Sequence, residues 1–208
     1  MDQSHADQRS RFVVLASGAG TLLQSLLDAT TDPGFPAQVV AVGADVGDAL
    51  ALDRAAKSGV PTFVRPVGDY PLRSDWDVAL TEAIDEWNPD WVFCAGFMRI
   101  LGPSTLTRYS GRIINTHPAL LPAFPGAHAV RDALAYGVRV TGCTMHLVDE
   151  GVDTGPIIAQ SPVHVDASDD ETSLHERIKM AERSLVVGTI AAIASRGCVV
   201  DGRRAYIP

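Results

Sequence analysis

The chain has 208 residues, of which 46% are hydrophobic and 20% charged, enough apolar material to fill the core of one domain. A formal net charge of -8 argues against nucleic-acid partners, which need clustered Lys and Arg. It leaves anionic small molecules open, because a few local arginines reverse the field inside a cleft. Cys94, Cys143 and Cys198 are far apart and odd in number, which fits reduced thiols in a cytoplasmic protein. Residues 1–10, MDQSHADQRS, are polar with no apolar export segment, so they read as a flexible tail ahead of a single domain at 11–208. The longest apolar run, Leu185–Ala194, is too short to span a membrane.

The first predicted strand is Arg11–Ala16. It runs through SGAG into a helix whose Leu22, Leu23, Leu26 and Leu27 follow helical spacing. A strand around Val39–Val42 follows, then a helix stopped by Gly59 and a short strand in PTFVRP. RSDWDVALTEAIDEWNPD reads as an amphipathic helix with Ser74 as N-cap, ending before Pro89. Trp91 opens a fourth strand and GRIINTH is a fifth. Repeated strand–helix alternation predicts an α/β fold: a doubly wound, mostly parallel sheet with helices on both faces. After a proline-rich loop come a helix near Val130–Tyr136 and two strands, VRVTGCTMHLVDE and GPIIAQSPVHV. A long helix then ends at Gly197. The apolar face of that helix suits either the core or a homodimer contact, and core is the reading adopted.

Four segments carry chemistry. In VVLASGAGTLLQ, a glycine turn between strand and helix aims free N–H groups and a helix dipole at one place, a cradle for phosphate. Glycine needed only for a tight turn explains it equally. Leu23 stands where a dinucleotide fingerprint has its third glycine, and no P-loop Lys-Ser/Thr follows. In IINTHPALLPAFPG, Asn115 and His117 are two apart on a strand and so share a face, at the sheet edge where α/β proteins bind ligands. An amide and an imidazole there suit an oxyanion and a moving proton; a polar pair satisfying local backbone groups is the structural alternative. HLVDEGVDTGP crowds Asp149, Glu150 and Asp153 into a glycine-bearing turn, either solvated or bringing a carboxylate to His117, whose pKa it would raise. Arg99 in AGFMRILGP and Arg73 in PLRSDW suit an anion or a helix cap, an isolated arginine being more often a surface residue.

The ordered set SGAGT, AGFMRILGP, NTHPALLPAFPG, DEGVDTGPI and ERIKMAE resembles the folate-dependent formyltransferases, and among them the glycinamide ribonucleotide formyltransferase family of purine synthesis. The resemblance runs from Arg11 to about Cys198. It implies a Rossmann-like formyltransferase fold, with Asn115, His117 and Asp153 catalytic. It implies 10-formyltetrahydrofolate as co-substrate and no metal. Gly18, Ala19, Gly20 and Thr21 would hold the ribose 5-phosphate, with Arg73, Lys179 and Glu182 also at the ribonucleotide. Met98, Arg99, Ile100 and Leu101, together with Asn115 and the turn of Val148, Asp149, Glu150, Gly151, Val152 and Asp153, would enclose the folate. The family often has Gly-Asn-Gly-Ser-Asn in its first loop, where this chain has Gly18-Ala19-Gly20-Thr21-Leu22, so two amide side chains are gone. The implied reaction is attack of a substrate amine on the formyl carbon, with protonated His117 and Asn115 holding the oxyanion. Related transferases acting on amino-sugar nucleotides, and a non-catalytic nucleotide-binding module, are the competing readings.

Overall fold

The computed structural model describes residues 9–208. Most of the expected N-terminal tail lies outside the described residues. Ser10 already belongs to the first strand and Arg9 donates to the Thr30 carbonyl.

One nine-stranded sheet organises the molecule, in the order β3-β2-β1-β4-β5-β6-β7-β9-β8. Its parallel half is β1 (Ser10–Ala16), β2 (Ala37–Ala44), β3 (Thr62–Val64), β4 (Trp91–Cys94) and β5 (Ile113–His117). These strands are apolar and mostly buried on both faces, as parallel strands under helices are. The helices between them are α1 (Thr21–Thr30), α2 (Leu50–Lys57), α3 (Arg73–Asp85) and α4 (Pro103–Arg108). After α5 (Ala129–Tyr136), β6 (Val140–Leu147) joins β5 antiparallel and β7 (Ile157–His164) joins β6 antiparallel. The long α6 (Glu171–Arg196) leads to β8 (Val199–Asp201) and β9 (Arg204–Tyr206), a hairpin that extends the sheet past β7.

Two cores flank the sheet. Phe12, Val14, Leu23, Leu26, Phe93 and Ile190 fill one face under α1 and α6. Val13, Leu15, Trp76, Leu80, Ile84 and Ile113 fill the other under α3 and α4. Leu174, Ile178, Val186, Ile190 and Ile193 line the apolar face of α6, which is therefore core. The sequence places Ser74 as the N-cap of α3, but the cap lies two residues earlier. Leu72 is the cap, without a side-chain bond, and Ser74 lies in the first turn.

Helix α4 is anchored from outside its own segment. The buried Asp77 of α3 accepts from Gly102 N (3.0 Å), Ser104 N (2.7 Å) and Thr105 Oγ1 (2.7 Å). These bonds satisfy the first N–H groups of α4 and fix the loop that carries residues 98–102.

Candidate active site

The parallel strands all end on one edge, and Asn115, His117 and Asp153 meet there. β1 and β4 are neighbours in the sheet although two strands, β2 and β3, come between them in the chain, so the loops after β1 and β4 diverge over a crevice. Two bonds tie these loops together: Ser17 N to Gly96 O (3.1 Å) and Met98 N to Ser17 Oγ (2.8 Å). Gly20 caps α1 in the left-handed region (φ 67°), and a β-carbon there would stand 2.7 Å from Ala51 Cα, so both conformation and space require glycine. Among the described residues, the N–H groups of Gly18, Ala19, Gly20 and Thr21 have no protein acceptor.

At the end of β5, Asn115 and His117 point to the same face, as alternation requires. Antiparallel pairing sets Asn115 opposite His146 and His117 opposite Thr144. The loop that follows folds back, with Phe124 in the left-handed region (φ 54°), and its carbonyl stands 2.7 Å from His117 Nε2. The turn after β6 delivers Asp153, also left-handed (φ 55°), a conformation Asp tolerates better than most residues. Gly155 lets this turn close: a β-carbon there would collide with the Leu147 carbonyl. Asp149 braces it by accepting from Gly151 N (3.1 Å) and Thr154 Oγ1 (2.6 Å). Arg203, between β8 and β9, donates to the Thr154 carbonyl (2.6 Å), so the C-terminal hairpin supports the same turn.

The result is a buried cluster. Asp153 Oδ2 lies 3.2 Å from His117 Nδ1 and accepts from Gly126 N at 2.8 Å. Its Oδ1 lies 3.6 Å from His146 Nε2, and His146 Nε2 lies 3.2 Å from Asn115 Nδ2. His146 Nδ1 faces the Leu147 carbonyl at 2.9 Å, so in the neutral ring Nδ1 carries the hydrogen and Nε2 accepts from the Asn115 amide. That orientation leaves a second Asn115 amide hydrogen with no acceptor among the described residues.

His117 departs from the sequence expectation. A neighbouring carboxylate was expected to raise its pKa. Instead the pKa lies below the ordinary histidine value, because burial outweighs the pull of Asp153 and the Phe124 carbonyl. Both ring nitrogens face acceptors, so a neutral ring leaves one contact without a hydrogen and a second proton completes both. Asp153 stays below the usual carboxylate range: the His146 ring, then the Gly126 N–H and the His117 ring, overcome its burial.

The remaining predicted residues fall into two groups. Met98 and Ile100 are exposed, at 74% and 68%, and so is Val152 across the edge at 52%, an unusual display for large apolar side chains. Leu101 and Val148 join these two loops below, in one apolar cluster. Arg99 pairs with the buried Asp45 (2.5 Å). Arg73 stacks over Trp76 at 3.8 Å and donates to the Ile100 carbonyl. Arg73 therefore touches the loop of residues expected at the folate, and burial and nearby Arg99 lower its pKa. Glu150 is exposed at the tip of the turn. On α6, Lys179 pairs with Glu176 (2.9 Å). Glu182 is buried, which raises its pKa against the opposing influence of the nearby Thr116 hydroxyl. Thr116 points away from the Asn115–His117 face, so Glu182 and the histidine cluster lie on opposite sides of β5.

His146 is the residue the sequence reading missed. Its alternation with Thr144 was visible, but its partner strand was not. A register shift at Met145/His146 in the β6–β7 pairing accompanies its position at the cluster.

A formyl transferase family model matches residues 10–190. The chain is 59% identical over 196 residues to phosphoribosylglycinamide formyltransferase of Mycobacterium tuberculosis, covering 94% of this chain and 90% of that protein. It is 40% identical over 192 residues to the human trifunctional purine biosynthetic protein adenosine-3, covering 92% of this chain and 19% of that protein. The crystal structure of glycinamide ribonucleotide transformylase 1 from Symbiobacterium toebii matches with a TM-score of 0.93 at 42% identity, over 96% of this chain and 94% of that one. The Asn115–His117–Asp153 cluster, the fold and these matches agree: the chain belongs to the formyltransferase family.

Proposed function

We propose that the chain transfers a formyl group from 10-formyltetrahydrofolate to the amine of 5'-phosphoribosylglycinamide, a step of de novo purine biosynthesis, in the cytoplasm. The observation that carries this reading is the meeting of Asn115, His117 and Asp153, distant in the chain, at one buried point. No helix among the described residues is long and apolar enough to cross a membrane.

The glycine loop receives the 5-phosphate through backbone N–H groups that lack protein acceptors. Glu182 serves the ribonucleotide from the far side of β5. The folate lies across the exposed Met98, Ile100 and Val152, a fit supported by the apolar surface these loops leave uncovered. Arg73 and Arg99 there suit the folate's carboxylates.

The chemistry follows from proton placement. As the amine attacks the formyl carbon, the carbonyl oxygen gains charge and the free hydrogen of Asn115 Nδ2 donates to it. The proton lost by the amine reaches the His117–Asp153 pair through water, and a second ring proton completes the contacts of His117 to Asp153 and Phe124. Its imidazolium adds positive charge beside the oxyanion. Burial disfavours that charge, and the proton passes to the leaving nitrogen as the carbon–nitrogen bond breaks. Asp153 stays ionised throughout and holds the ring, as the carboxylate of a triad does. No proton is gained or lost overall.

The test is an absorbance assay for folate deformylation with and without the ribonucleotide. Deformylation dependent on the ribonucleotide is expected. Release without it would make the chain a hydrolase, and no release at all would leave a binding module.

A further inference from the structure

The glycine loop Gly18-Ala19-Gly20-Thr21-Leu22 carries no amide side chain, so what it offers an anion is its backbone N–H groups. Three successive carbonyls of this loop are bound. Gly18 O accepts from Ala51 N of α2 (3.1 Å), Ala19 O from Arg54 Nε of α2 (2.7 Å), and Gly20 O from Gln24 N of α1 (2.9 Å). In a planar trans peptide the carbonyl and the following N–H point in opposite directions. Fixing those three oxygens therefore turns the N–H groups of Ala19, Gly20 and Thr21 the other way, side by side, with no protein acceptor among the described residues. Successive N–H groups so aligned form an anion-binding concavity.

Two of the three bonds come from backbone N–H groups. The middle one depends on a side chain. Arg54 reaches across from α2, and its Nη1 is held in turn by Gln24 Oε1 (3.1 Å) on α1. Resting on the function proposed above, we infer that Arg54 is a positioning residue for the ribonucleotide's phosphate: it clasps the Ala19 carbonyl and so aims the Gly20 N–H. Its cationic head also sits at the positive end of α1, which adds attraction for the same anion.

The experiment compares Arg54→Ala and Arg54→Lys with the unaltered protein. Steady-state kinetics are measured with the ribonucleotide, with the same compound lacking its phosphate, and with inorganic phosphate as inhibitor. Arg54→Ala is expected to raise the ribonucleotide KM about tenfold, a typical loss for one charge-assisted positioning contact. Its kcat and folate KM stay within about twofold. Inhibition by inorganic phosphate weakens by a similar factor, and the compound without phosphate shows no difference between the proteins. Arg54→Lys, which keeps one donor and the charge, falls between. A folded Arg54→Ala protein with unchanged phosphate inhibition would overturn the inference, and so would equal losses for both compounds. If no protein turns over the ribonucleotide, the proposed function fails. Direct calorimetry with inorganic phosphate then still reads the cradle: weaker binding to Arg54→Ala supports the inference and equal binding overturns it.

Discussion

Along one edge of one sheet, the loop after β1 and the end of β5 solve the binding problem by different means. The first offers backbone N–H groups, turned outward because their carbonyls are held by α1 and α2. The second offers side chains, buried and bonded to one another, with His117 and His146 on either side of Asp153. A backbone site tolerates changes of side chain, since every residue but proline carries the donor. A side-chain site does not, since each member sets the charge or tautomer of the next. Ala19 and Leu22 are departures in the tolerant region.

The largest expected effect comes from removing charge at the centre of the cluster. Asp153→Asn keeps the size of the side chain but not the anion facing both rings. Its kcat should fall by about 10²–10⁴, the range for an acid–base unit, while ribonucleotide affinity measured by calorimetry changes less than about twofold. Near-normal turnover in this variant would mean that the cluster is structural.

Next in size is His146→Ala. His146 Nε2 lies beside both Asn115 Nδ2 and Asp153 Oδ1, so it orients the amide next to the carboxylate. A loss of about 10- to 100-fold in kcat is expected, with both KM values little changed, as when a supporting partner of a catalytic group is removed. This residue also marks the limit of what the sequence displays. The parallel strands, their helices and the polar pair at the end of β5 are legible because they depend on local period and on which edge a parallel strand ends. His146 depends on antiparallel register between segments thirty residues apart, which no local pattern encodes. Helix α4 was missed for a similar reason, because its cap comes from Asp77 on another helix. The C-terminal hairpin was unread because its short strands gain their meaning only against β7 and the turn at Thr154. The pKa of His117 went the wrong way for a different reason: sequence shows the neighbouring charge but not the burial that opposes it.

That sign has a measurable consequence. His117 must be neutral to accept the amine's proton, and its pKa is lowered in the fold. The acid limb of kcat/KM should therefore lie below the ordinary histidine value of about 6.5. Removing the carboxylate removes a raising influence, so the residual activity of Asp153→Asn should show this limb at still lower pH. Stability has the same sign. As pH falls below about 6.5, the unfolded chain takes up a proton at this position before the folded chain does. His117 therefore costs stability on acidification, which chemical denaturation at pH 7 and at pH 5.5 would read as a lower midpoint, once compared with the same pair of measurements on His117→Gln.

The smallest effect is expected in the other region. Ala19 is exposed, and its contribution to the cradle is a carbonyl held by Arg54 and an N–H turned outward. Ala19→Ser changes neither group. The ribonucleotide KM should move by less than about threefold, within the ±0.5 kcal/mol usual for surface substitutions. A tenfold change in either direction would show that a side chain at this position contacts the phosphate directly, and the contrast between a backbone site and a side-chain site would no longer hold for the β1 loop.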